Sequence, residues 1–239
     1  MSKKEQTLIN VELIERSPLR GLEKSIHGGL GKGKIGVLAS PKGVGKTACL
    51  VHIAMDKLFQ GKPVIHVSYS SRVDYIITWY EDIFKEIARK LEFEAAQEVH
   101  DEVLKNRVIM NFSQEGARTE QVLRSVEAMI RYGRFAADTI IVDGYDFSLS
   151  AGDDLKKFKD FAWSMGLEVW FSASLRGEGP FYDEKGVPGL LKGCLDAIDV
   201  LITLHSKDNH VRLQVVKDHN DPPAGELPVK LDPLTLLID

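Results

Sequence analysis

The feature that most constrains the fold is a strand, a glycine-rich loop, a helix and a second strand in direct succession. Residues 34–39 (KIGVLA) read as a buried strand, residues 47–58 repeat apolar side chains at helical spacing, and residues 63–68 (PVIHVS) read as a second strand. Gly61 marks the end of the helix. This pattern predicts a βαβ unit, in which a crossover helix joins two parallel strands.

The alternation of strands and helices continues along the chain. Further helices are predicted over residues 74 to about 105 (as two helices), 119–135 and 153–165, and further strands over residues 107–112, 139–142 and 167–172. After Ile198 the pattern changes to two strands joined by a short polar turn, which predicts an antiparallel hairpin. The sequence therefore predicts an α/β fold, with a mostly parallel twisted sheet, helices on both faces and an antiparallel hairpin at the C-terminal edge.

Composition favours a globular chain and excludes several classes of protein. The 239 residues are 44% hydrophobic and 28% charged, which supplies a core and excludes a disordered chain. A formal net charge of −4 argues against a protein that coats nucleic acid. Two cysteines are too few for a disulfide framework, and no apolar run is long enough to span a membrane, so we expect a cytoplasmic location. We divide the chain into a lead-in segment, 1–26, and one domain, 27–239.

The loop between the first strand and the first helix carries the strongest chemical signal. Residues 40–47 (SPKGVGKT) match the phosphate-binding pattern G-x-x-x-x-G-K-[ST], except that Ser40 replaces the first glycine. The two remaining glycines let backbone N–H groups converge on one anion at the start of a helix. The alternative without phosphate binding is a glycine turn before an ordinary helix. The residues expected to bind the nucleotide are Lys42, Gly43, Val44, Gly45, Lys46, Thr47 and Ala48.

A phosphate-bound Mg²⁺ also needs a carboxylate at a neighbouring strand end, and Asp143 ends the apolar stretch TIIVD. Alone this signal is weak, because many parallel strands end at a capping aspartate. Together with the loop it predicts that Thr47 and Asp143 hold the metal, while Lys46 reaches the β- and γ-phosphates. No evident carboxylate stands ready to activate water, so Asp74 and Asp146 are fallback candidates, each more simply a surface or capping residue.

The order of these pieces resembles that of the RecA-like ATPases, most closely the subgroup that contains the replicative helicase DnaB and the clock protein KaiC. The resemblance runs from about His27 to the C-terminus. Residues 28–34 are similar to the glycine-rich lead-in of that subgroup, residues 171–175 (FSASL) to its sensor strand, and residues 215–225 (VVKDHNDPPAG) to its K-x-R-x-G ending. The resemblance implies ATP and Mg²⁺ as ligands, and a homo-oligomer in which ATP lies between subunits.

Departures from the family pattern fall on the hydrolytic residues. Lys217 matches a lysine that, in the family, reaches the γ-phosphate of the neighbouring subunit, and His219 stands at the accompanying arginine. The family's catalytic glutamate would fall at Ser70 and the helicase sensor glutamine at Ser174. Serine cannot accept a proton at neutral pH. The comparison therefore implies an ATP-binding protein that hydrolyses ATP slowly or not at all.

Two other functions stay open at this level. The first is an active helicase-like or DNA-repair motor, for which the long irregular stretch 176–189, with Phe181 and Tyr182, would contact single-stranded nucleic acid. An unengaged loop is the simpler interpretation of that stretch, because its acidic residues dilute its positive charge. The second is a small-molecule kinase on the same phosphate loop, which is disfavoured because the expected basic lid is absent.

Overall fold

A computed structural model of the chain describes residues 14–15, 17, 19–69, 72, 74–90, 96–113, 118–148, 152–177, 181–235 and 237–238. Its strands are β1 (Lys34–Pro41), β2 (Val64–Ser68), β3 (Arg107–Asn111), β4 (Thr139–Asp143), β5 (Glu168–Leu175), β6 (Val200–Lys207), β7 (His210–Asp218) and β8 (Gly225–Leu231). Its α-helices are α1 (Leu19–Ser25), α2 (Lys46–Phe59), α3 (Asp74–Lys90), α4 (Ala96–Leu104), α5 (Thr119–Arg131) and α6 (Gly152–Met165), and a 3-10 helix covers Gly189–Ala197.

All of these strands lie in one sheet, in the order β3-β2-β4-β5-β1-β6-β7-β8. Every neighbouring pair from β3 to β6 is parallel, and β7 and β8 add to the far edge in antiparallel orientation. Asp208 and Asn209 join β6 to β7 with positive φ angles of 51° and 60°, as a two-residue hairpin loop requires. The predicted α/β fold, mostly parallel sheet and antiparallel C-terminal hairpin are confirmed.

The core has two layers because side chains alternate between the two faces of each strand. On one face, buried residues such as Leu38 and Trp170 pack with helices α1 to α4. On the other face, residues such as Val37 and Phe171 pack with α5, α6 and the 3-10 helix. Helices therefore cover both faces, as predicted. Every helix in the described part of the chain is too short or too polar to span a lipid bilayer.

The structure corrects three details of the sequence interpretation. Strand β8 was not predicted, because Pro228 interrupts its pattern, and proline is tolerated only where a strand lies at the edge of a sheet. Helix α5 ends at Arg131 rather than at residue 135, and β5 continues to Leu175. Apart from these three corrections, α1 lies within the lead-in segment and buries Leu19 and Leu22 in the same core as the sheet.

Candidate functional site

A cavity of about 430 Å³ opens at the carboxyl ends of β1, β4 and β5, beside the start of α2. This is the edge of a parallel sheet where ligands bind in open α/β folds. The walls are the loop residues 42–47, the strand ends 68–69 and 143–144, the β5 serines 172 and 174, and Trp79, Leu231 and Pro233. Its volume lies within the range of small-molecule sites.

The phosphate loop has the backbone conformation that its glycines allow. Gly43 and Gly45 have φ angles of +85° and +112°, a region that residues with a side chain rarely adopt. A Cβ atom on Gly45 would lie 2.4 Å from Leu231 Cδ2, so this position has no room for a side chain either. Between them the two glycines turn the chain from β1 into α2, and Gly45 is the residue immediately before the helix.

Lys46 is folded back against the loop that precedes it. Its ammonium donates hydrogen bonds to the carbonyl oxygens of Ser40 and Pro41, at 3.0 and 2.8 Å, and to Ser40 Oγ at 3.2 Å. The side chain is buried, and burial lowers the pKa of Lys46 to about 8, although the nearby negative charge of Asp143 opposes the shift. The hydroxyl of Ser40, which replaces the first glycine of the pattern, is thus one of the three acceptors that hold the lysine.

Thr47 and Asp143 meet at the mouth of the loop. Thr47 Oγ1 donates a hydrogen bond of 2.9 Å to Asp143 Oδ2, although the two residues are 96 positions apart in the chain. Adjacent ligands of an octahedral Mg²⁺ ion, with bonds of about 2.0–2.1 Å, lie about 2.9 Å apart. The separation of these two oxygens therefore suits a shared Mg²⁺. Magnesium uses one or two protein oxygens and takes its other ligands from phosphate and water.

No cluster of three or more His, Cys, Asp or Glu residues able to hold a metal occurs among the described residues. A metal ion bound by Thr47 and Asp143 would therefore take its remaining ligands from water or from a bound phosphate. Ser172 completes the arrangement, since its hydroxyl contacts Asp143 Oδ1 at 2.6 Å. Sequence reasoning missed Ser172, Trp79, Leu231 and Pro233. For Ser172 a signal was available, because it precedes Ser174 by two positions and therefore lies on the same face of β5.

Three other predicted positions have different locations relative to the cavity. Ser174, at the expected sensor position, lines the cavity and lies beside Ser40 in the register of β5 and β1. Ser70, at the expected position of the catalytic glutamate, lies outside the described residues; its neighbours Ser68 and Tyr69 line the cavity. Ala48 does not line the cavity and is fully buried in the core beneath α2.

The structure does not bring Lys217 and His219 to the cavity of their own chain. Lys217 is the penultimate residue of β7 and His219 follows its last residue, Asp218, which pairs with Val200 at the start of β6. Both therefore lie near the amino ends of the parallel strands, opposite the cavity. The Lys217 ammonium donates to the carbonyl oxygens of Leu195, at 2.8 Å, and Ile198. Burial lowers the pKa of this lysine. A contact of Lys217 with a neighbouring subunit stays a prediction.

His219 belongs to a cluster with Asp218 and His27, in which the carboxylate is buried and the ring of His27 is exposed. The carboxylate of Asp218, which is 0% exposed, lies 2.7 Å from Nδ1 of His219 through one oxygen and 2.7 Å from Nδ1 of His27 through the other. His219 Nε2 faces the carbonyl oxygen of Leu30 at 3.0 Å. Both nitrogens of His219 thus have partners within the chain, and its backbone has a positive φ of 48°. The predicted catalytic role of His219 would require these contacts to break.

The stretch 176–189 is organised by Asp183, within the residues that the structure describes there. Asp183 Oδ1 accepts hydrogen bonds from the backbone N–H groups of Lys185 and Val187, both at 3.0 Å. The ring of Tyr182 lies 5.0 Å from that of His205 on β6. Residues 178–180 lie outside the described part of the chain. The predicted contact of this stretch with single-stranded nucleic acid stays a prediction.

The two fallback aspartates lie outside the cavity wall and have local partners. Asp146 accepts hydrogen bonds from the backbone and side chain of Ser148, and Asp74 pairs with Arg72 at the start of α3.

Among known proteins, no family model matches this chain, and the search of curated proteins gives no match. The functional argument therefore depends on the geometry of the cavity and on the motifs that form it.

Proposed function

We propose that this chain is a RecA-like protein that binds ATP with Mg²⁺ in the cavity at the phosphate loop, assembles as an oligomer with ATP at subunit contacts, and hydrolyses ATP slowly or not at all. The observation that carries the proposal is the hydrogen bond between Thr47 and Asp143, which joins the loop to the end of β4. The central position of β1 between β5 and β6, and the antiparallel β7 and β8, support the assignment to this architecture.

Binding would use groups that the loop already presents. The backbone N–H groups of the loop and of the first turn of α2 receive the phosphate oxygens, with the favourable dipole of the helix N-terminus. Lys46 exchanges its contacts with the Ser40 and Pro41 carbonyls for phosphate oxygens, and this exchange restores a charged partner to a buried ammonium. Thr47 and Asp143 hold Mg²⁺, which when bound neutralises charge on the phosphates.

Slow hydrolysis is supported by the side chains around the expected position of the γ-phosphate. The ends of β2 and β5 present hydroxyl groups to the cavity, from Ser68, Ser172 and Ser174. A hydroxyl positions phosphate oxygens but does not take a proton from water at neutral pH, and the loss of a general base typically costs about 10²–10⁴-fold in rate. Lys217 and His219, which the family resemblance assigns to the γ-phosphate of a neighbour, are hydrogen-bonded within their own chain.

Assembly at the cavity is supported by apolar side chains that stand beside it. Leu234 is 91% exposed and follows Pro233, which lines the cavity. Tyr75 is 52% exposed on the first turn of α3, the helix that contributes Trp79 to the cavity wall. Exposed apolar groups on two elements that border one opening are suited to a subunit contact at that opening.

The experiment is phosphate release by the purified protein with ATP and Mg²⁺, measured with and without single-stranded DNA and accompanied by gel filtration. We expect ATP-dependent change in size with little or no turnover, and the loss of both ATP binding and the size change in Lys46→Ala. Lys156→Ala, at an exposed position on α6 away from the cavity and from residues 176–189, is the matched control and should behave as the wild-type protein. DNA-stimulated turnover that is absent from Lys46→Ala would instead establish the alternative, an active motor.

A further inference from the structure

Ser172 is a buried hydroxyl in the layer of the sheet that packs against α2. It is 2% exposed and lies on the same face of β5 as Trp170, which is part of the apolar core. Burial of a hydroxyl in such surroundings is unfavourable unless its donor and acceptor capacity is used. Ser172 uses both, because it contacts the backbone of Gly144 and the side chain of Asp143.

The chemistry of the two partners fixes the direction of these hydrogen bonds. The backbone N–H of Gly144 can only donate, so Ser172 Oγ accepts from it, at 2.9 Å. The single hydroxyl proton of Ser172 is then donated to Asp143 Oδ1, at 2.6 Å. The amide, the hydroxyl and the carboxylate form a polarised chain, in which each hydrogen bond strengthens the next. Gly144 itself has a φ angle of +79°, which a residue with a side chain rarely adopts.

The consequence is that both oxygens of Asp143 have defined partners. Ser172 holds Oδ1, and Thr47 donates to Oδ2, so the plane of the carboxylate is fixed and Oδ2 points at the phosphate loop. When Thr47 and Oδ2 turn to a metal ion, the hydrogen bond from Ser172 to Oδ1 persists and keeps the carboxylate in the same plane. Hydrogen bonds to a ligating carboxylate orient it and raise metal affinity.

We propose that Ser172 is a positioning residue that orients Asp143 toward the Mg²⁺ of a bound nucleotide, an inference that rests on the proposed function. Ser172 acts through Asp143 and not by contact with the reacting atoms. The structure also says which substitutions separate this role from a general effect on the fold. Ser172→Ala removes the hydroxyl alone, and Ser172→Thr retains it and adds one methyl group.

The test compares ATP affinity by calorimetry in excess Mg²⁺ and in EDTA. The gain in affinity from Mg²⁺ is the quantity of interest, because a merely structural defect would weaken binding in both buffers. We expect Ser172→Ala to lose about 10–100-fold of that gain, as is typical for removal of a hydrogen bond to a metal ligand, with unchanged affinity in EDTA. Ser172→Thr should recover most of the gain. The matched control is Thr139→Ala, which deletes a fully buried hydroxyl at the far end of β4 and should keep the wild-type gain.

Three outcomes would overturn the inference. An equal Mg²⁺ gain in Ser172→Ala and the wild-type protein would show that Asp143 needs no such support. Equal losses in Mg²⁺ and in EDTA, or a Ser172→Thr variant as defective as Ser172→Ala, would indicate that Ser172 maintains only the fold. If the wild-type protein bound no ATP in either buffer, the proposed function would fail and this inference with it, so the two failures are distinguished by the wild-type titration.

Discussion

Two carboxylates at the ends of strands, Asp143 on β4 and Asp218 on β7, have opposite kinds of partner. Asp143 receives hydrogen bonds from two hydroxyls, Thr47 and Ser172, and borders an open cavity. Asp218 is fully buried between two imidazoles, those of His27 and His219.

The difference separates a ligand site from a structural contact. Hydroxyl groups satisfy hydrogen bonds but carry no charge, so the negative charge of Asp143 remains to attract a cation at the phosphate loop. At Asp218, by contrast, each carboxylate oxygen lies 2.7 Å from a ring nitrogen, one of His27 and one of His219. Asp218 thereby ties the glycine-rich turn that contains His27 to the end of β7, whereas Asp143 borders the cavity, where we propose that it binds Mg²⁺.

The largest effect should come from Asp218→Asn. The amide that replaces the carboxylate keeps only one acceptor oxygen for the two ring nitrogens, and a buried hydrogen bond left unsatisfied costs up to about 3 kcal/mol of unfolding free energy. Urea denaturation measures it. The matched control is Asp221→Asn, since Asp221 is exposed and only 3.9 Å from His27; its effect should stay within about 0.5 kcal/mol. A stable Asp218→Asn variant would remove the distinction between the two carboxylates.

Asp143→Asn should show the reverse pattern. We expect its unfolding free energy to stay within about 1 kcal/mol of the wild-type value, because its partners are neutral hydroxyls. Its Mg²⁺-dependent gain in ATP affinity should fall about 100-fold, equivalent to about 2.7 kcal/mol, because the metal loses a charged ligand. Calorimetry in Mg²⁺ and in EDTA measures this, with Asp146→Asn as the control outside the cavity. Retention of the full gain would contradict the assignment of Asp143.

Lys46 provides a test by pH that concerns only the cavity. Burial lowers the pKa of Lys46 to about 8 in the free protein, and contact with phosphate raises it, so ATP binding takes up a proton above pH 8. Affinity should therefore fall by up to about tenfold per pH unit above 8. The free energy of unfolding of the protein without ATP should instead rise between pH 8 and about 10.4, because the unfolded state binds more protons than the folded state in this range.

Calorimetric titrations from pH 7 to 9.5 follow the change in affinity. In Lys46→Arg the guanidinium stays charged throughout this range, so the decline above pH 8 should disappear even where binding is weaker overall. A wild-type affinity that does not change between pH 7 and 9.5 would show that the lysine does not change protonation on binding.

The smallest effect concerns a third imidazole, His100, which tests whether burial gives the Asp218 cluster its importance. His100 lies between Glu81 and Asp101, at 2.7 and 2.8 Å, but both of these carboxylates are open to solvent, whereas the carboxylate of Asp218 is fully buried. Burial pulls the pKa of His100 down, and the hydrogen bonds and charges of the two carboxylates outweigh it and raise the pKa above its ordinary value.

Because this pKa is raised, the stabilisation of the folded state by His100 is complete below about pH 6.5. It is lost as the pH rises through the folded-state pKa. Because solvent screens the group, His100→Gln should cost only a few tenths of a kcal/mol, measured by urea denaturation at pH 5.5, and nothing at pH 9. A loss as large as that in Asp218→Asn would mean that burial is not what distinguishes the two clusters.

The sequence predicts the Asp143 side of the comparison well and the Asp218 side poorly. The phosphate loop is a local pattern, and Asp143 follows from the rule that parallel strands end at one edge, so both could be placed before the structure was known. The partnership of His27 with Asp218 joins residues 191 positions apart and has no such pattern. The inward orientation of His219 depends on a positive φ that histidine seldom adopts.

Ser172 shows a different limit. The orientation of the Ser172 hydroxyl depends on the backbone N–H of Gly144, which follows the neighbouring strand β4. Side-chain patterns in the sequence do not reveal such a backbone contact. The edge strand β8 escaped prediction because proline normally argues against a strand, and only its place at the end of the sheet permits it. The order of β1 to β7 and their helices could therefore be predicted from patterns within one segment, whereas some element ends, the edge strand β8 and the contacts between neighbouring strand ends could not.

The most direct measurement is a calorimetric titration of the wild-type protein with ATP in Mg²⁺, beside Lys46→Ala under the same conditions. The structure predicts saturable binding at one site per chain in the wild-type protein, weaker binding when EDTA replaces Mg²⁺, and none in Lys46→Ala. Absence of heat at millimolar ATP with the folded wild-type protein, or equal binding by Lys46→Ala, would contradict the assignment of this cavity to a nucleotide.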